Sequence, residues 1–435
     1  MTAPSAVDLD VIVVGAGLSG LVCARRLVAA GRTVRVVEAH AAVGGRLRSV
    51  TVDGGTYDLG GQWMSAGQPR LAALAAELGI ATAPQYRDGA AVLALAAERP
   101  RRLTGRLRAA LARHRHLAAL TRLVDQARRA PDPAWDRDSL ATWLDRAGVA
   151  PATREQLTLH AELTFAAEPA ELSLLGYLTD LAAGGGGDPF RGAGHERRFV
   201  GGAERLPRAI AAALGDRVVA STPVRAITVA ADHVEVVTDG AAVRARRVVL
   251  AIPPARAAAI ALTPALPAAA AQVVASSRPG AVVKLVAIYP RAFWREAGLS
   301  GEAYQAHGLV RATVDGGGPP AALTGFVVAA AAAAWRDQPE HVRRAEVVAE
   351  LGALFGPEAA APSALAIMDW SADPWTGGCV AGLPPGAAAA APSWRGPFGR
   401  LHIAGTESAR SWPGFMEGAI EAGERAAAEV LDHRG

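Results

Sequence analysis

Leu9-Asp10-Val11-Ile12-Val13-Val14-Gly15-Ala16-Gly17-Leu18-Ser19-Gly20 is the stretch that decides the fold. Residues 9–14 form an apolar run ending in glycine, the pattern of a buried strand. Leu21 to Ala30 then reads as a helix closed by Gly31, and Thr33 to Val37 as a second strand with Glu38 at its end. In such a strand–helix–strand unit Gly15 makes the tight turn, Gly17 lets the backbone approach a pyrophosphate, and Gly20 lets the helix pack closely. The helix N-terminus, with Ala16 and Ser19 in its loop, faces the negative charge. Glu38 stands 18 residues after Gly20, where a carboxylate can accept both hydroxyls of a ribose. The fingerprint defines a dinucleotide site without choosing between NAD and FAD.

Downstream, residues 70–80 and 101–130 read as helices, the second rich in arginine and carrying His114 and His116. A solvated helix face explains that charge better than a polyanion site. Gly184 to Pro189 reads as a flexible loop. Residues 217–250 alternate as strands and are broken by Pro253-Pro254, and Val282 to Ile288 is a further buried strand. Leu401 to Ala404 is a last short strand, followed by Gly405-Thr406 and a helix from Met416 to Leu431. The chain thus opens and closes on strand, glycine turn and helix. The simplest arrangement is a nucleotide-binding domain built from 1–68, 199–274 and 376–435, with a substrate-binding domain from 69–198 and 275–375.

The 435 residues are 51% hydrophobic and 20% charged, which excludes wholesale disorder. A net charge of +4, spread along the chain, gives no reason to expect nucleic acid. Cys23 and Cys379 cannot staple a secreted fold of this size, and Cys23, on the first helix, reads as core. The N-terminal residues carry no basic signal-peptide region, and no stretch is long and apolar enough for a membrane span. A soluble cytoplasmic protein without metal is expected. Lys284 is the only lysine among 45 basic residues, and asparagine is absent. A lysine that survives such a bias, inside an apolar strand, invites a reason: a buried ammonium is costly without a partner or a lowered pKa. An always-charged, planar arginine could not replace it there.

Further segments carry a resemblance: Gly44-Gly45-Arg46, Asp58-Leu59-Gly60-Gly61-Gln62-Trp63, His195 to Gly202, Ala251-Ile252-Pro253-Pro254, Val282-Val283-Lys284-Leu285 with Phe293-Trp294, Trp370 to Cys379, Leu401 to Glu407, and Gly414 to Gly423. In this order they resemble the flavin-containing amine oxidases, most closely the monoamine oxidase branch, over nearly the whole chain. The resemblance implies a mixed α/β, monoamine oxidase-type fold in which a Rossmann-like FAD-binding domain is interleaved with a substrate-binding domain.

It also implies FAD, with Glu38 on the adenosine ribose, Gly45, Arg46, Gly60, Gly61 and Gln62 near the phosphates and ribityl, and the Val224 backbone at the adenine. Gly405, Thr406, Glu407 and Met416 would lie close to the pyrophosphate and flavin ring, and Trp370 and Trp375 would wall the flavin. Lys284 matches the family's lysine that holds a water against flavin N5. Thr376-Gly377-Gly378-Cys379 resembles the segment that bonds the flavin 8α carbon as a thioether, with non-covalent binding as the alternative. The family flanks the amine with two aromatics. Phe415 fills one position, Val380 stands at the other, and His195 stands where the family's pocket glutamine stands, beside Trp63.

The implied reaction is oxidation of an amine C–N bond with O2 as acceptor, releasing hydrogen peroxide and an imine that hydrolyses to an aldehyde. A carbon–carbon dehydrogenase of the protoporphyrinogen oxidase or desaturase type, an L-amino acid oxidase and a flavin-bound interaction scaffold stay open as alternatives. Relatives are often homodimers, and the sequence leaves the oligomeric state undecided.

Overall fold

The computed structural model describes residues 9–94, 101–103, 115–149, 151–184, 195–379 and 381–432. Its first sheet begins with the opening strand, Leu9–Val14, which pairs in parallel with Val34–Val37 on one side and Ala242–Leu250 on the other. The sheet continues antiparallel through Val234–Thr238 and Val224–Val229, and Leu401–Ile403 joins it in parallel beside Ala242–Leu250. Alternate residues of the opening strand feed two cores. Val11 and Val13 pack with the first helix, while Ile12 and Val14 pack with Ile227, Val236 and Trp394 on the opposite face. A sheet covered on both faces needs such an unbroken apolar strand.

The first helix runs Leu18–Ala29, three residues earlier than the sequence suggests, because Gly17 is its N-cap and Leu18, Ser19 and Gly20 already lie in its first turn. Gly20 faces the turn below: a Cβ there would stand 2.1 Å from the Gly15 carbonyl oxygen. The C-terminal helix, Met416–Asp432, crosses the first helix where a Cβ on Gly423 would meet the Ser19 carbonyl at 2.4 Å. Cys23 is fully buried in this contact region, as core.

A second sheet has the strand order 364–369, 282–289, 321–328, 312–317, 299–305, 90–94 and 101–103. Residues 101–103 are therefore strand, correcting the expected helix from 101. They pair antiparallel with Ala90–Ala94, and cross-strand pairing overrides their local helical character. The helix begins at Arg115 and ends at Arg129; His114 and the loop after Gly184 lie outside the described residues. Strand Val282–Tyr289 has a neighbour on each side in this sheet and is buried at every position, with Lys284 opposite Phe326 and Met368. Helices at 115–129, 140–146, 151–165 and 174–183 form a separate layer with its own apolar core. No helix of the described residues is long and apolar enough to cross a membrane, and no described cluster of His, Cys, Asp and Glu could hold a metal ion.

Candidate active site

A cavity of about 530 Å³ runs from the Gly15 turn to Phe415. At the first end, the Glu38 carboxylate accepts the Ala16 N–H at 2.6 Å and the His40 N–H at 2.8 Å. Its own backbone is clamped to the next strand by Glu38 N–H to Val219 O at 2.8 Å and Thr222 N–H to Glu38 O at 2.7 Å. That clamp brings Val224 onto the cavity wall. The Gly15, Gly17 and Ser19 positions border the same space, at the N-terminus of a twelve-residue helix.

The middle of the cavity is built by two interlocked turns. Gly44 N–H donates to Ala16 O at 2.9 Å, Gly60 N–H to Arg48 O at 3.1 Å and Gly61 N–H to Arg46 O at 3.0 Å. Gly45, Arg46, Gly60, Gly61 and Gln62 all line the space, facing Gly405, Thr406 and Met416. Arg46 forms an ion pair with Glu407 at 2.8 Å and donates to the Cys379 carbonyl at 3.1 Å. Glu407 is thus behind the wall, as the partner of Arg46. Trp370 anchors the floor by donating its indole N–H to Leu59 O at 2.7 Å.

Lys284 is 3% exposed and does not snorkel to the surface. Its Nζ donates to Gly60 O at 2.8 Å and to Gln62 Oε1 at 2.7 Å, with the Trp63 and Phe326 rings 5.2 and 5.5 Å away. Burial pulls its pKa down to about 8, against the opposing charge of Asp58. His195 lines the cavity beside Trp63, ring centroids 4.5 Å apart, and is neutral at physiological pH because burial, helped by Arg87 and Lys284, lowers its pKa to about 4. Trp63 is fixed by its indole N–H to Gln85 Oε1 at 2.8 Å.

Cys379 borders the cavity, its N–H held by Gly280 O at 3.1 Å. The two glycines before it have φ of +69° and +143°. A Cβ on Gly378 would stand 2.7 Å from Gly280 O and from Pro279 Cβ, so this turn needs glycine. Phe415 lines the far end, and Val380 lies outside the described residues. The sequence reading missed several wall residues here: His160, Leu163, Asp180, Tyr304 and Phe326. Asp180 could have been flagged, being an acid in the otherwise apolar helix 174–183.

A strand–glycine turn–helix cradle with an acid at the end of the next strand has the geometry of a dinucleotide-binding protein. The comparisons narrow this class. Residues 18–431 match the family described as flavin containing amine oxidoreductase. The chain is 34% identical to putrescine oxidase of Kocuria rosea, covering 98% of this chain and 96% of that one. It is 30% identical to a probable flavin-containing monoamine oxidase A of Dictyostelium discoideum, covering 97% of each. Its structure superposes on cyclohexylamine oxidase of Brevibacterium oxydans IH-35A with a TM-score of 0.91 and 31% identity, over 98% of this chain and 99% of that one.

The chain belongs to the flavin-containing amine oxidoreductase family, on its monoamine oxidase-like side, and is an FAD-dependent amine oxidase. The residues present fit FAD. Thr376 Oγ1 is buried on the cavity wall with no protein partner, and the glycine cradle, the carboxylate of Glu38 and the aromatic far end supply the three surroundings that a dinucleotide flavin needs.

Proposed function

We propose that this enzyme oxidises the C–N bond of a small amine to an imine, which water hydrolyses to an aldehyde. The observation that carries this reading is Lys284, buried on the cavity wall and held by Gly60 O and Gln62 Oε1. Bound FAD supplies the two-electron acceptor, and O2 takes the electrons onward as hydrogen peroxide.

The protein's part is placement and solvent exclusion. Glu38 and the first helix hold the adenosine and pyrophosphate end, and the turns at 44–46 and 60–62 hold the middle. Two N–H bonds of the Lys284 ammonium are committed to protein oxygens, which leaves a third to fix a water inside the site. Trp63, His195 and Phe415 wall the reacting end. A neutral His195 and a nearby Lys284 cation favour an uncharged amine there, ready to lose a hydride equivalent from its α-carbon. In the same reading Cys379 carries the thioether to the flavin.

An amino acid substrate fits less well. Of the three described arginines on the lining, Arg46 pairs with Glu407 and Arg225 with Asp239, so two are already neutralised by carboxylates, while Arg256 donates to Pro374 O. The test is a peroxide-coupled assay of wild type and Lys284→Met with simple primary amines. Amine-dependent peroxide release by wild type, reduced at least about a hundredfold in the variant, supports the reading. Equal peroxide release by both would remove Lys284 from the mechanism.

A further inference from the structure

The buried ammonium of Lys284 donates to two oxygens, Gly60 O at 2.8 Å and Gln62 Oε1 at 2.7 Å. Both acceptors are uncharged, but they differ in kind. Gly60 O belongs to the main chain, in a turn fixed by Gly60 N–H to Arg48 O and Gly61 N–H to Arg46 O. Gln62 Oε1 belongs to a side chain that is 4% exposed and lines the same cavity. The residue type at 62 therefore decides whether the ammonium meets an amide, a carboxylate or a hydrocarbon.

The other groups around Lys284 come from several elements. The paired strands place Phe326 and Met368 opposite it, and neither side chain titrates. The Trp63 ring, anchored by its indole N–H to Gln85, stands 5.2 Å from Nζ. Burial dominates and pulls the Lys284 pKa down to about 8, while Asp58 and Cys379 act the other way, Cys379 only while its sulfur is free. Asp58 is fixed by Ser49 Oγ at 2.6 Å and Ala203 N–H at 2.9 Å, and it also attracts Arg198. His195 is neutral in the same wall.

A carboxylate in place of the Gln62 amide would cancel the cation and raise its pKa. A hydrocarbon would leave a buried N–H without its acceptor and favour loss of the proton. The amide does neither: it fixes the direction of Nζ and leaves the charge uncancelled. Deprotonation changes what Lys284 offers the cavity. With two N–H groups still given to Gly60 O and Gln62 Oε1, the third position turns from a donor into a lone pair. We propose that Gln62 is the positioning residue that keeps Lys284 protonated, its third N–H available to the cavity, and that the amide at 62 thereby sets the alkaline limit of amine oxidation. This rests on the role given to Lys284 above and deepens it.

Lys284 is the only lysine in the chain, so holoenzyme grown on lysine isotopically labelled at Cε gives one side-chain NMR signal. Its movement with pH reads this single protonation directly. The midpoint is expected to fall by about one pH unit in Gln62→Met and to rise by about one unit or more in Gln62→Glu. The alkaline limb of amine-dependent flavin reduction, followed anaerobically by stopped flow, should move in the same direction as the midpoint in each variant. A midpoint unchanged by both substitutions, or a limb that stays in place while the midpoint moves, overturns the proposal. Should Gln62→Met fail to fold, Gln62→Glu decides, because it keeps both the shape and the acceptor. If no amine reduces the wild-type flavin, the amine-oxidation reading falls; the midpoints, measured without substrate, still decide whether Gln62 governs Lys284.

Discussion

The ammonium of Lys284 lies 2.7 Å from Oε1 of Gln62, joining a strand of the second sheet to the turn that follows Gly60 and Gly61. With its bond to Gly60 O, this contact fixes a buried cation between the second sheet and the turn at 60–62. The cation carries a measurable signature. Burial lowers the native pKa from 10.5 to about 8, so between those values the unfolded chain holds a proton that the native state has lost. Stability contributed at this site must therefore rise with pH across that window. The difference in unfolding free energy between wild type and Lys284→Met should grow in favour of wild type by about 3 kcal/mol from pH 8 to 10.5. Urea titrations of both proteins at stepped pH check this.

Glu38 satisfies two backbone N–H groups, those of Ala16 and His40, while facing the cavity. Glu38→Ala leaves both without their acceptor, at about 1–3 kcal/mol, and removes the carboxylate proposed to hold the ribose. The variant should purify with far less FAD per chain than wild type, as read from the flavin absorbance after deproteinisation.

Cys379 borders the cavity on a turn that only glycines can build. Acid-precipitated wild type should stay yellow, and intact-mass analysis should show a flavin adduct. Cys379→Ser should release all flavin to the supernatant. Free flavin from both proteins would mean that FAD is held without a covalent bond.

Gly378 has φ +143°, and a Cβ there would collide with Gly280 O and Pro279. Gly378→Ala should cost about 1–3 kcal/mol of stability and displace Cys379, whose N–H bonds to the same Gly280 carbonyl. A lower melting temperature together with a smaller covalently held flavin fraction is the expected pair of results.

Much of this was legible in the sequence because the decisive features are local. The Val11–Val14 run with Gly15 and Gly17, and the acid at 38, follow from short-range geometry. The lone lysine stood out against an arginine-only background. Other features depend on contacts across the fold. Arg101–Leu103 became strand only because Ala90–Ala94 offers an edge to pair with. The pairing of Glu407 with Arg46 joins positions far apart in sequence, so it could not be read from spacing. Asp180 reaches the cavity only because its helix packs against a site built by other segments, so an acid in a mostly apolar helix marks the position without naming that neighbour.

The central claim is that a small amine delivers its electrons to FAD in this cavity. Anaerobic titration of the yellow holoenzyme with a panel of primary, secondary and diamines, amino acids and a porphyrinogen, followed by absorbance, tests it most directly. The account predicts full bleaching of the flavin band by an amine, with recovery on admitting air and release of hydrogen peroxide. Bleaching by dithionite but by no amine, or by an amino acid or the porphyrinogen alone, would contradict it.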